Sequence, residues 1–445
     1  MTRTLLVPDL VLEPRATVRA GAAVEVVDGE IAAVGSAAGA GERSDVVRLP
    51  GRLLVPGLVN GHSHAFQRHL RGRVEVRAPA APEDDFWSWR ESMYAAADAL
   101  DPRGMRAVAE ECFDAGRRAG YTTVGEFHYV HHRPDGTPYE EPNALALAVI
   151  DAARAVGIRI VLLLAAYARG GAGSGPSPGQ RRFCDRTVEA YLGRVESLAA
   201  AVEGDPLISV GYAPHSLRAV PREWLVTIAG HAERTGYPLH IHAGEQPREV
   251  QESLEEFGLR PIEHLGDCGV LGPTATVVHA THVSADELDL LAQTGSTVCA
   301  CPTTEANLGD GFLPAAELWE RDVPVSFGGD SNVRLDPFEE ARETEGCARR
   351  LSGRRNVLVA GMDSGPAPSL WRCLTTHGAR SLGLPAPGIV PGAPADLVAL
   401  DLAHPDIRGV EPQHLPAAVL FSGSAALVRE TWVAGAAASA ARAQA

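Results

Sequence analysis

The chain has 445 residues, of which 45% are hydrophobic and 22% charged, proportions that fit a folded globular protein and exclude a disordered or fibrous one. Its 40 basic and 56 acidic residues leave a formal charge of −16, which opposes a phosphate backbone and argues against a nucleic-acid partner. The length allows one large domain and a smaller one.

The opening Met1-Thr2-Arg3-Thr4-Leu5-Leu6-Val7-Pro8 lacks a long apolar core, so no secretory signal or membrane anchor is predicted and the cytoplasm is the expected location. Ala23–Val27 and Glu30–Val34 are short apolar runs separated by Asp28-Gly29, a hairpin signal. The same texture returns at Ala395–Leu400 and at Ala426–Val433. The two ends are therefore expected to form one small β domain, over 1–54 and 388–440.

Between them, over 55–387, strands alternate with amphipathic helices, the signature of a parallel sheet with crossover helices. Met105, Val108, Ala109, Cys112 and Phe113 recur at helical spacing and Gly120 closes that helix before Thr122–Val124. Helices over Ala144–Val156 and Pro221–Arg234 end at Gly157 and Gly236 before the next strands. A capping box at Ser284 and Glu287 opens another, which Gly295 closes. With Leu53–Val59, Ile158–Leu164, Ile208–Tyr212, Pro238–Ile241, Thr276–Val278, Thr297–Ala300 and Val325–Phe327, eight strands are predicted. The expected fold is α/β, a (β/α)8 TIM-like barrel carrying a small β-sandwich domain. Arg169–Gly179, rich in glycine and interrupted by Pro176 and Pro178, reads as a lid over the barrel mouth rather than a phosphate loop.

A barrel of this kind works at the carboxyl ends of its strands, and those ends are rich in histidine. They read His62-Ser63-His64, Glu126-Phe127-His128, Pro214-His215, His240-Ile241-His242 followed by Glu245, His279-Ala280-Thr281-His282, and Gly328-Gly329-Asp330. His62 and His64, at i and i+2, face the same way and can share a cation. His242 and Asp330 fit the third and fourth places of a site that leaves room for water. Seven scattered cysteines suit reduced thiols, and Cys299-Ala300-Cys301 has no second pair and reads as structural.

These residues place the chain by resemblance. Pro56-Gly57-Leu58-Val59-Asn60-Gly61-His62 and the return Gly388-x-Val390-x-x-Gly392-x-x-Ala395-Asp396-Leu397-Val398 resemble the amidohydrolase superfamily, in its branch of one-metal deaminases. Gly61–Arg68, Phe86-Trp87-Ser88-Trp89-Arg90, Glu126–His132 and Pro214–Arg218 look like the formimidoylglutamate deiminases. The resemblance implies one divalent ion, zinc by preference, on His62, His64, His242 and Asp330. It implies Glu245 and His279 as proton-handling residues beside Asp330, with Gln67, Arg90, Tyr129, His215 and Arg218 holding the substrate N-formimidoyl-L-glutamate. A homodimer, a small-molecule substrate and a place in histidine degradation are further implications. One departure is Ala243-Gly244, where bulkier residues are expected.

The chemistry is consistent with those roles: attack of water on a formimidoyl carbon needs a base to collect a proton and an acid to return it to nitrogen. Two arginines suit two carboxylates through paired hydrogen bonds. Deamination of a nucleobase or nucleoside is the alternative, and a barrel that binds without catalysing is a third reading. His240 reads as packing or as support for a ligand, while His128, His131, His132 and His282 read as rim residues or substrate contacts. Trp87 and Trp89 are expected in the core or an interface.

Overall fold

The computed structural model describes residues 2–37, 45–76 and 84–437; residues 1, 38–44 and 438–440 of the expected terminal domain lie outside the described residues. The chain begins with β1 (Arg3–Glu13), β2 (Thr17–Ala20), β3 (Ala22–Val27), β4 (Glu30–Ser36) and β5 (Val46–Pro56). Asp28 and Gly29 stand at φ 48° and 86° and turn β3 into antiparallel β4, the left-handed pair that suits the twist of a tight hairpin.

Leu53–Val59, expected as one strand, serves two sheets. β5 ends at Pro56, and β6 (Leu58–Ser63) opens the barrel. Gly57 makes the crossing, because a Cβ there would lie 2.3 Å from Thr122 Oγ1 and 3.0 Å from the backbone of Asp396. Any larger residue would push the two sheets apart.

The barrel continues through β7 (Tyr121–His128), β8 (Arg159–Ala166), β9 (Ile208–Pro214), β10 (Leu239–Ala243), β11 (Ala275–His279), β12 (Thr297–Ala300) and β13 (Val325–Phe327), each parallel to its neighbour. β7 and β10–β13 are buried along their whole length, as strands covered on both faces must be. The first and last strands meet through a bridge between Ser63 and Asp330. His64 N donates to Asp330 O at 2.8 Å and Asp330 N to His62 O at 2.9 Å. Closure thus occurs at the residues expected to carry the chemistry.

The helix ends follow local rules. Gly157, Gly236 and Gly295 stand at φ 73°, 69° and 68° after their helices, the left-handed exit that costs glycine nothing. Ser284 and Glu287 each accept the other's backbone N–H. After the barrel, β14 (Leu397–Asp401), β15 (Val428–Val433) and β16 (Ala436–Ala437) join the first sheet in the order β16-β15-β14-β5-β1-β3-β4, with β2 on β1. Leu6, Val24, Ile31, Leu54, Leu397 and Trp432 form its core. Arg159 on β8 pairs with Asp396 at 3.1 Å, tying barrel to sheet. Among the described residues no helix is long and apolar enough to cross a membrane.

Candidate active site at the barrel mouth

β6, the residue that directly follows it, and β10 project three imidazoles to one point. The Nε2 atoms of His62, His64 and His242 lie 3.2, 3.4 and 3.0 Å apart. Asp330 Oδ1 stands 3.3 Å from His64 Nε2 and 3.7 Å from His62 Nε2. A tetrahedral ion with nitrogen ligands at about 2.0–2.1 Å keeps them about 3.3 Å apart, so the spacing fits a cation at the centre. The tautomers fit as well. His64 Nδ1 donates to Phe127 O at 2.7 Å and His242 Nδ1 to His215 O at 2.9 Å, which leaves each Nε2 lone pair facing inward. Burial lowers all three histidines, His64 to about 3, so they are neutral, as ligation requires.

Glu126 braces this corner. It is buried, and accepts from Ser63 Oγ at 2.6 Å and Ala65 N at 2.7 Å, on either side of His64. Burial pushes its carboxyl up to about 8 despite those two bonds. Asn332 Nδ2 donates to Ser63 Oγ at 3.0 Å and to Asp330 O at 2.9 Å, binding the first strand to the eighth.

His279 Nε2 lies 3.5 Å from Glu245 Oε1 and 3.6 Å from Asp330 Oδ2, and its Nδ1 lies 3.3 Å from Glu305 Oε1. Burial acts to lower this imidazole, but the three carboxylates outweigh it and hold it well above its ordinary value. Its Nε2 is thus turned toward Glu245 and Asp330 in the cleft. Burial drives Asp330 up to about 7. His279 and Asp330 both adopt left-handed backbone, at φ 74° and 45°, a strain of about 1–3 kcal/mol each that the closed barrel sustains. At the departure Ala243-Gly244, Gly244 stands at φ 67° and turns the chain from His242 to Glu245, which explains the glycine.

Every expected site residue except His62 lines the open cleft above these groups; His62 is wholly buried behind them. Gln67 Nε2 donates to Tyr129 Oη at 2.8 Å. Arg90 and Arg218 hold their guanidinium carbons 4.6 and 5.4 Å from the centre of the Trp87 ring. Arg90 Nε, and both Nε and Nη1 of Arg218, are buried without a protein acceptor.

The model of the amidohydrolase family matches residues 53–437. The chain belongs to the amidohydrolase family. Formimidoylglutamate deiminase from Pseudomonas aeruginosa is 38% identical over 391 residues, 87% of this chain and 84% of that protein. A 5-methylthioadenosine/S-adenosylhomocysteine deaminase from Teredinibacter turnerae is 31% identical, covering 87% and 80%. Among solved structures, an adenosine deaminase from Xanthomonas campestris with bound zinc superposes with a TM-score of 0.82 at 26% identity, over 98% of this chain and 92% of that one.

The cleft of this amidohydrolase also holds residues that the motifs did not single out. Tyr94 and Tyr167 line the cleft. Tyr94 lies one helical turn beyond Arg90 and Tyr167 directly follows β8, so helical period and the strand-end rule each pointed to one of them. Glu305 carried no such signal. Trp89, expected in the core or an interface, lines the cleft. The remaining histidines stand outside it. His131, His240 and His282 bond the backbone carbonyls of Ala165, Ser381 and Asp310, His132 faces Asp185 at 3.8 Å, and His128 packs against His131. In the segment Arg169–Gly179 only Gly170 reaches the cleft. Gln180 just beyond anchors it by donating to Tyr167 Oη at 2.9 Å and Tyr94 Oη at 3.2 Å.

Proposed function

We propose that this amidohydrolase deiminates N-formimidoyl-L-glutamate to N-formyl-L-glutamate and ammonia, a step of histidine degradation. The observation that carries the reading is the set of three buried guanidinium N–H groups of Arg90 and Arg218, unpaired and in the same cleft as the histidine cluster. Unpaired buried donors are costly, and two carboxylates of one small substrate satisfy them. Arg218, 3.6 Å from Glu245, suits the α-carboxylate, which only one nitrogen and one carbon separate from the reacting carbon. Arg90 then takes the γ-carboxylate, with Gln67, Tyr129 and His215 completing the wall.

The fourfold set His62, His64, His242 and Asp330 would hold one divalent ion, and its nitrogen-rich donors favour zinc. Bound there, such an ion supplies Lewis acidity that lowers the pKa of water from about 15.7 to about 7. Glu245 collects the proton of the attacking water and passes it to the departing nitrogen. The C–N bond then breaks as the added hydroxyl gives up the second water proton, again through Glu245, to the same nitrogen, so that ammonia leaves and the carbon keeps the oxygen as a formyl group. His279, its Nε2 turned toward Glu245 and Asp330, donates a hydrogen bond toward the water and orients it. Asp330 accepts from the opposite side. We read the chain as two domains, 1–54 with 388–440 and 55–387, and as a cytoplasmic homodimer.

The deaminase relative at 31% identity supports the alternative of a nucleoside substrate, against which the two unpaired arginines weigh. Ammonia release from N-formimidoyl-L-glutamate, its aspartate homologue, 5-methylthioadenosine, adenosine, guanine and cytosine separates the readings. The glutamate compound is expected to dominate, and faster turnover of any of the ring compounds would overturn the assignment.

A further inference from the structure

Beside the imidazole cluster lies a second group of donors. Glu245, His279 and Asp310 each offer one ligand atom within 4.8 Å of the other two, and all three are buried. Asp310 is only 1% exposed. One of its oxygens accepts from Gln246 Nε2, and the other, Oδ2, is buried with no partner. Keeping that oxygen buried, unpaired and ionised is costly, and burial, with Glu245 beside it, pushes the Asp310 carboxyl up to about 9. The cost is offset when a cation takes it.

The charge around it points the same way. Glu245, Glu305 and Asp330 all stand within 3.6 Å of the His279 ring nitrogens, and Asp310 brings a fourth carboxylate against one imidazole. One imidazole nitrogen with two carboxylate oxygens is a donor set for a borderline divalent ion such as zinc. Glu245 and His279 line the open cleft, so an ion arriving from solvent meets them directly.

We propose that Glu245, His279 and Asp310 form a second, weaker divalent-cation site, and that its occupancy switches the enzyme off. The inhibition rests on the proton-handling roles proposed for Glu245 and His279: an ion seated on both withdraws the base and the orienting N–H together. The site is the weaker of the two because its ion is repelled by the one held on His62, His64 and His242. Asp310 takes no part in the deimination itself, and acts only as the anchor of the inhibitory ion.

Zinc chloride titrated into the holoenzyme tests this, with bound metal counted by elemental analysis after equilibrium dialysis and turnover followed in parallel. A second equivalent is expected to bind, and turnover to fall by about 10²–10⁴-fold at saturation, the usual worth of a positioned acid/base group. Asp310→Asn is expected to keep the first equivalent and lose the second, and zinc should no longer depress whatever turnover it has. Glu245→Gln should likewise bind only one equivalent, a readout that needs no activity. Circular dichroism of both variants excludes misfolding as the cause. Saturation of wild type at one equivalent, or a second equivalent that both variants retain, overturns the proposal. Because stoichiometry is counted without substrate, a second site can stand even if N-formimidoyl-L-glutamate proves not to be the substrate.

Discussion

Arg218 Nη2 stands 3.6 Å from Glu245 Oε2, with both side chains almost wholly buried. The residue assigned to the substrate's carboxylate is thus the neighbour of the residue assigned to its proton transfer. On the proposed roles, specificity and catalysis meet at this one contact.

Arg218→Met therefore removes a substrate contact and a neighbouring charge together. A lost hydrogen bond to a charged group costs about 1.5–3 kcal/mol, so kcat/KM for N-formimidoyl-L-glutamate is expected to fall roughly ten- to a hundredfold. The metal should be retained, because Arg218 touches none of the four expected ligands. Arg218→Lys should recover only part of the loss, since an ammonium cannot form the paired bonds of a guanidinium. Steady-state kinetics with elemental analysis checks both, and normal kinetics for the methionine variant would remove Arg218 from the site.

Metal content follows from the convergence of three Nε2 atoms within 3.4 Å of one another. Protein purified without added metal should carry one divalent ion per chain, zinc by preference. His242→Ala should lose the ion and the activity together. Two tightly held ions in protein so purified would contradict the single-site assignment.

Glu245→Gln should separate proton transfer from metal binding. Glu245 belongs to the His279 cluster and not to the imidazole triad, so the variant should keep its first ion. Its turnover should drop by about two to four orders of magnitude. Near-normal turnover would exclude Glu245 as the proton carrier.

His131 predicts an acid limb in stability that is separate from the metal. Burial, with Arg194, His128 and His132 adding to it, holds this imidazole well below its ordinary value of 6.5. The folded chain keeps His131 neutral while the unfolded chain protonates it below that pH, so the unfolded state binds more protons. Stability is full above pH 6.5 and is lost as pH falls through and below it, at up to about 1.4 kcal/mol per pH unit. A thermal-unfolding series from pH 8 to pH 5 should show His131→Asn losing less of its Tm than wild type. Parallel curves would show that the group contributes no linkage.

Much of the barrel was legible in the sequence alone, because its cues are local. Glycine after a helix, Asp28-Gly29 between two strands and Ser284 with Glu287 each specify a conformation from neighbouring atoms, and each stands in the structure as expected. The histidines were legible for a related reason: i and i+2 on a strand share a face whatever surrounds it, and parallel strands in a barrel present their carboxyl ends to one mouth. The tertiary structure alone decided what those side chains meet. Gly57 divides an apolar run between two sheets because Thr122 and Asp396 press on it from opposite sides. Glu305 reaches His279 across 26 residues of chain, and Asp310 joins Glu245 across still more, with no motif to mark either. Only barrel closure brings these carboxylates around one imidazole, because contacts between distant residues depend on the path of the whole chain and leave no periodicity within it.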